Sequence, residues 1–266
     1  MNENLKEALK EIDYFLLDMD GTIYVDDFPI GDMKNTLQLL RDKGKKIIYL
    51  SNNTSKSADA YIEKLTKIGL YNEADKIYSA GVATCEYLND FYKGKKVHPL
   101  ATESYRAELV KYGINVTEDE NSDVALISYD TELTYDKLCK FIKALDNGAV
   151  YIATHPDNRC NTIDGFVPDV GAYIKMIEES NGYTPSVIIG KPNKTMGDTL
   201  KKRLSQNSKK FMMVGDRLDT DLMFGLNNDF YFTLVLSGET PMELAEKSIN
   251  KPHFILETLN DIVNYF

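Results

Sequence analysis

The chain is short of the residues that build thiolate and disulfide frameworks. Cys85, Cys139 and Cys160 are its only cysteines, and they form neither a CxxC pair nor a zinc spacing. Reduced thiols in a cytosolic protein are therefore expected. The three histidines, His98, His155 and His253, are too scattered to suggest a cluster. With 16 glycines and 8 prolines in 266 residues, collagen-like and low-complexity classes are excluded. No run approaches the roughly 18 apolar residues of a membrane-spanning helix. Residues 1–11 contain lysines but no apolar run, so no secretory signal is visible and a cytoplasmic location is expected. Positive charge is also in deficit: 31 Lys and Arg face 41 Asp and Glu, for a net charge of −10. Such a surface repels nucleic acid and anionic membrane, and neither is expected as a main partner. An anionic substrate then needs a metal or a local lysine to receive it.

What is present fits a soluble globular protein of one or two domains, 43% hydrophobic. Short apolar runs alternate with helical periods. Tyr14–Leu17, Ile47–Leu50, Val124–Ile127, Val150–Ala153, Val187–Ile189, Phe211–Val214 and Phe232–Val235 read as strands. Asp32–Lys43 reads as a helix that Asp32 caps and Gly44 stops, with Met33, Leu37 and Leu40 on one face. Ser57–Ile68 reads as a second, a third begins at Thr134, and Glu257–Phe266 reads as a closing helix. Strand–helix alternation of this kind argues for a parallel sheet with helices on its faces. His155–Val170 shows neither period, and a structureless loop of that length is often functional.

Polar chemistry gathers after four of the apolar runs. Asp18-Met19-Asp20-Gly21-Thr22 follows the first and Ser51-Asn52-Asn53 the second. Gly190-Lys191-Pro192 and Gly215-Asp216-Arg217-Leu218-Asp219-Thr220-Asp221 follow two later ones. In an open parallel sheet, ligands bind just beyond the carboxyl ends of the strands. If the four strands are parallel neighbours, these ends converge on one crevice. A carboxylate cluster is costly unless something positive neutralises it. A hard divalent cation with oxygen ligands does so, and Mg²⁺ is the usual choice at phosphate sites. Ser51, Asn52 and Lys191 are donors suited to phosphoryl oxygens. Taken singly, each element has a plain alternative: Asp and Gly are common in turns, Asp caps helices, and a lysine is usually solvated.

Together and in order, Asp18-x-Asp20-Gly21-Thr22, Ser51, Lys191 and Gly215-Asp216-x₄-Asp221 resemble the haloacid dehalogenase (HAD) superfamily. Asp20-Gly21-Thr22-Ile23-Tyr24, Ser51–Ser55, Ala153–Asp157, Ile189–Pro192 and Val214–Asp221 look most like its subfamily IIA, the NagD-like or p-nitrophenyl-phosphatase-like branch. The resemblance covers nearly the whole chain. It implies an α/β fold, a Rossmann-like parallel-sheet core with an inserted α/β cap domain of the C2 type. Only about ten residues separate Gly21 from the first long helix, so the insertion is expected after Ser51. The expected core is 1–80 and 184–266, and the expected cap 81–183.

The resemblance also implies roles. Asp18 is the nucleophile that forms a phosphoaspartate, and Asp20 is first general acid and then general base. Asp18, Asp20 and Asp216 hold Mg²⁺, with Asp221 orienting from behind. Ser51, Asn52 and Lys191 bind the phosphoryl group. His155, Asn158 and Arg159, in the cap loop, are candidates for substrate contact; Cys160 is expected to be buried, and Asp219 is left outside the site. His155 stands where this branch often has Asn, which argues against carrying over any one member's substrate. The expected activity is Mg²⁺-dependent hydrolysis of small phosphate monoesters such as sugar phosphates or nucleotides, by a monomer or homodimer. A phosphotransferase or phosphomutase on the same fold is the alternative, as is a receiver-like phospho-signalling module. Receivers, however, are much shorter and lack the second Asp.

Overall fold

The computed structural model describes residues 4–162 and 165–266. Among them the strands are, in chain order, β1 (Tyr14–Leu17), β2 (Tyr24–Val25), β3 (Phe28–Pro29), β4 (Lys46–Ser51), β5 (Lys76–Ser79), β6 (Lys96–Leu100), β7 (Asn115–Val116), β8 (Val124–Ile127), β9 (Val150–Ala153), β10 (Arg159–Thr162), β11 (Gly165–Pro168), β12 (Val187–Ile188), β13 (Phe211–Gly215), β14 (Tyr231–Val235) and β15 (Phe254–Leu256). The chain divides into two units. One comprises the residues up to Ser51, Asp59–Tyr78 and the chain from Lys191 onward; the other is Asn52–Ala58 and Ser79–Gly190.

The first unit is the Rossmann-like core. Its six-stranded sheet runs β15-β14-β13-β1-β4-β5, with parallel ladders from β15 to β4. Central strands of a sheet covered on both faces read as unbroken apolar runs. Every residue of β1 and of β13 is buried. Tyr14 stacks on Phe211 at 5.0 Å, and Phe211 meets Phe230 at 4.9 Å. The helix Met33–Asp42 buries Met33, Thr36, Leu37 and Leu40 and ends before Gly44, whose φ of 76° suits a glycine. Asp32 precedes it but makes no capping bond; its carboxylate instead accepts from the Asn35 side chain at 2.9 Å.

The second unit is the inserted α/β cap. Its sheet runs β12-β9-β8-β6-β7, all parallel, and an antiparallel hairpin pairs β10 with β11. Phe141, Tyr151, Val170, Ile174 and Ile177 share its core. Thr134 caps the helix Tyr135–Asp146 by accepting from the Lys137 N–H.

Three sequence expectations change here. His155–Val170 is no structureless loop, because β10 and β11 lie within it; residues 163 and 164 fall outside the described residues. The ribbon is invisible to periodicity because β11 is exposed along its whole length, so neither of its faces is marked by burial. The closing helix is a 3₁₀ segment, Leu259–Tyr265. Its buried Leu259 and Ile262 stand three apart, the repeat of that helix. Finally, β12 pairs with β9, so Val187–Ile188 belongs to the second unit, although the expected seam put residues from 184 in the core. Among the described residues, no helix is long and apolar enough to cross a membrane.

Candidate active site

The site grows from the register of two neighbouring strands. β1 and β13 pair with Leu17 opposite Val214, and the Asp18 N–H donates to the Val214 carbonyl at 2.9 Å. Asp18 and Asp216 therefore both lie just beyond the carboxyl ends of adjacent strands, at the same edge of the sheet. Lys191 reaches them by another route. The expected route is from the end of a neighbouring core strand, but β12 is not in the core sheet. Lys191 instead opens the returning segment of the first unit, with its side chain only 4% exposed. Its Nζ donates to Asp18 Oδ1 at 2.5 Å and to Asp221 Oδ1 at 2.6 Å. Asp221 lies in the turn Leu218–Leu222, where its Oδ2 accepts from the Arg217 N–H at 3.2 Å. A Cβ on Gly215 would stand 2.5 Å from the Asp221 Cβ and Cγ, so a glycine is required for this close approach.

Asp18, Asp216 and Asp221 each offer an oxygen within 4.8 Å of the others. One buried ammonium cannot balance three carboxylates. Burial raises the Asp18 pKa well above the usual range against the pull of Lys191, and Asp221 and Asp216 raise it further. The Asp216 carboxyl is pushed up to about 7 by burial and by Asp221, while a hydrogen bond from the Glu239 N–H opposes the shift. Burial disfavours the Lys191 ammonium, but Asp18 and Asp221 outweigh it and raise its pKa. Asp216 Oδ1 is buried and has no hydrogen-bond partner among the described residues. A buried bare carboxylate oxygen in an all-oxygen, net-negative cluster fits a hard divalent cation.

Comparison with known proteins gives the same reading from a second direction. A family model described as haloacid dehalogenase-like hydrolase matches residues 15–115, and a HAD-hydrolase-like model matches residues 188–262. The chain belongs to the haloacid dehalogenase superfamily. A crystal structure of a 4-nitrophenylphosphatase from Thermotoga maritima superposes on this HAD chain with a TM-score of 0.92, at 35% identity over 97% of this chain and 98% of that one. A p-nitrophenyl phosphatase from Archaeoglobus fulgidus gives a TM-score of 0.90 at 27% identity, covering 96% of this chain and all of that one. An acid sugar phosphatase from Staphylococcus saprophyticus is 29% identical over 255 residues, 96% of this chain and 98% of the relative. These similarities support the NagD-like branch, subfamily IIA, to which the motifs pointed.

The remaining candidates of this HAD enzyme lie in varied settings. Asp20 is exposed at the surface, yet neighbouring atoms strip enough water to raise its pKa; Lys64 opposes this, and Asp26 and Glu239 add to it. Ser51 ends β4, and its Oγ lies 3.2 Å from the Tyr61 hydroxyl. Asn52 belongs to the second unit, where its Nδ2 donates to Asp157 Oδ2 at 3.2 Å. His155 is wholly buried: Nδ1 meets Thr154 Oγ1 and Nε2 meets Asp169 Oδ1, both at 3.0 Å. Asp169 in turn caps the helix Val170–Asn181, so His155 braces that cap and offers no exposed ring to a substrate. Asn158 and Arg159 are exposed, the latter with its guanidinium 3.9 Å from the centre of the Phe166 ring. Cys160 is half-buried at the start of the hairpin, not enclosed as expected. Asp219 is exposed and pairs with Arg217 at 2.9 Å; the carboxylate cluster is Asp18, Asp216 and Asp221.

Sequence reasoning passed over Ser237-Gly238-Glu239. This segment follows β14, next to β13, and the Glu239 N–H donates to Asp216 Oδ2 at 2.7 Å. The signal was there in the same form as the others: a polar, glycine-bearing stretch directly after an apolar strand.

Proposed function

We propose that this HAD phosphatase hydrolyses small phosphate monoesters, sugar phosphates and nucleotides among them, with Mg²⁺ as its metal and a phosphoaspartate on Asp18 as its intermediate. The observation that carries the reading is the Asp18 carboxylate, partly open to solvent and held at 2.5 Å by a buried lysine that Asp221 anchors from behind. Lys191 thereby fixes one carboxylate oxygen and supplies positive charge where a phosphoryl group would arrive. An Asp18 oxygen attacks phosphorus, and the bond from phosphorus to the leaving oxygen breaks. Asp20 gives its proton to that oxygen; a carboxyl held above its usual pKa suits the task. In the second step Asp20 takes a proton from water as the water oxygen attacks the phosphoryl group, releasing inorganic phosphate and restoring Asp18. Asp18 and Asp216, with Asp20, would hold Mg²⁺, whose charge when bound offsets repulsion between the nucleophile and the phosphate. Ser51 and Asn52 are proposed as donors to the phosphoryl oxygens, and Arg159 and Asn158 as residues that bias substrate choice.

The relatives named for p-nitrophenyl phosphate and for sugar phosphates support the substrate class. The test is phosphate release from p-nitrophenyl phosphate and a metabolite panel, with Mg²⁺ or with EDTA, for the wild type and Asp18→Asn. Release that needs Mg²⁺ and falls by about 10⁴-fold or more in the variant is expected, on the scale of other nucleophile deletions. Release by Asp18→Asn at the wild-type rate, or none from any ester by the folded wild type with Mg²⁺, refutes the proposal. Phosphate appearing in water with no acceptor sugar separates hydrolysis from phosphotransfer.

A further inference from the structure

Asp216 is gripped by parts of the chain that no motif assigned to it. Its Oδ2 accepts from the Glu239 N–H at 2.7 Å. A Cβ on Gly21 would stand 2.7 Å from that same oxygen and 3.1 Å from the Gly238 Cα. One on Gly238 would overlap Oδ2 and Cγ and stand 2.6 Å from the Asp216 Cβ. The Ser237 hydroxyl then ties the two glycine segments together, donating to the Gly21 carbonyl at 2.8 Å. Real Cβ atoms do not approach other atoms this closely, so any side chain at 238 must push the Asp216 carboxylate aside. Gly238 has no positive φ among those recorded for the chain, so the requirement there is for space and not for backbone freedom.

The two oxygens of Asp216 are thus made unequal. Oδ2 is enclosed between two glycines and engaged by a backbone N–H. Oδ1 is buried and has no hydrogen-bond partner among the described residues. A buried carboxylate oxygen left bare is destabilising unless a ligand takes it.

We propose that the Ser237-Gly238-Glu239 turn is a positioning element of the metal site, with Gly238 its critical residue. The turn locks Oδ2 of Asp216 so that Oδ1 alone is presented to the cation. The inference rests on the metal-dependent reading above and adds a determinant of affinity that lies outside the acidic cluster. Partners that orient a ligating group typically change metal affinity by about 10- to 100-fold when they are altered. Gly238→Ala must rotate or translate the carboxylate, so a loss in that range is expected.

The experiment is calorimetric titration of the metal-free protein with Mg²⁺, run beside activity against Mg²⁺ concentration, for the wild type and Gly238→Ala. Support is a Kd about 10- to 100-fold weaker in a variant of native circular dichroism. Activity should recover as Mg²⁺ is raised, with the KM for p-nitrophenyl phosphate at saturating Mg²⁺ changed by less than about threefold. An unchanged Kd in folded Gly238→Ala overturns this proposal and leaves the phosphatase reading intact. A wild type that binds no Mg²⁺ overturns both. If Gly238→Ala fails to fold, Ser237→Ala carries the test, since it removes only the tie to Gly21. A rise in Kd of about threefold or more supports the proposal there, and no rise overturns it.

Discussion

Replacing Lys191 by methionine isolates the electrostatic problem at the centre of this molecule. The substitution keeps a long unbranched side chain and removes two ion pairs, to Asp18 at 2.5 Å and Asp221 at 2.6 Å. It leaves three carboxylates with oxygens inside 4.8 Å of one another and no cation among them. At an effective permittivity near 20, two unit charges about 4 Å apart repel by about 4 kcal/mol. Loss of one partner from a buried ion pair costs about 3–5 kcal/mol. A metal-free deficit of about 3–5 kcal/mol is therefore expected at pH 8. Its pH dependence is diagnostic. Carboxyls with pKa values raised by folding hold protons that the unfolded chain releases, so they favour folding at low pH and oppose it at high pH. Asp216 sits near 7 and Asp18 is also raised, and removing Lys191 raises both further. The deficit should be widest above pH 7 and narrow as pH falls below it. Urea unfolding followed by circular dichroism, in EDTA at pH 8 and pH 5.5, measures both quantities. A deficit below about 1 kcal/mol at pH 8, or one equal at the two pH values, would refute the reasoning.

Two further outcomes concern parts of the fold away from the carboxylates. Asp75, its side chain 2% exposed, holds Arg41 by two bonds of 2.6 and 3.1 Å and accepts from the Asn72 N–H at 3.0 Å. Asp75→Ala removes the carboxylate and leaves the guanidinium with the Leu70 carbonyl at 2.9 Å, which should cost about 3–5 kcal/mol in the same urea assay, where a loss under about 1 kcal/mol would contradict the assignment. His98, 2% exposed on β6, is held below its ordinary pKa by burial; Glu118 opposes this and Arg106 assists it. Protonation of this ring therefore opposes folding: wild-type stability is full above about pH 6.5 and falls as the pH drops from there toward the folded value. Relative to His98→Leu, the wild type should lose stability as the pH falls through that window, and a difference independent of pH would argue against a neutral buried ring.

Much of the candidate site was legible because each motif sits directly after an apolar run. Asp18, Asp216 and Asp221 could be read in that way, and strand adjacency then brings the first two together. Lys191 was found for a reason the structure replaces: it meets Asp18 as the chain re-enters the core unit, not from a neighbouring core strand. His155 shows the limit of reading loops. A histidine beside a proline looks available, whereas burial and two hydrogen bonds turn it inward, which only tertiary structure can reveal. The hairpin of β10 and β11 and the short helix Leu5–Glu11 escaped for opposite reasons. In the first, β11 is exposed along its whole length, so burial does not mark it. The second is too brief for a period to stand out, although Leu5, Ala8 and Leu9 are buried.

The pairing of β1 with β13 joins residues 14–17 of the chain to residues 211–214. A ribosome that has emitted the DxDGT segment must still deliver the whole second unit before Lys191, Asp216 and Asp221 emerge. At about 5–20 residues per second this interval lasts on the order of ten seconds or more. Throughout it, Asp18 lacks Asp216, Asp221 and Lys191. Under the proposed roles, the nascent chain is expected to be inactive on phosphate esters until the segment from Lys191 onward folds beside the first strand.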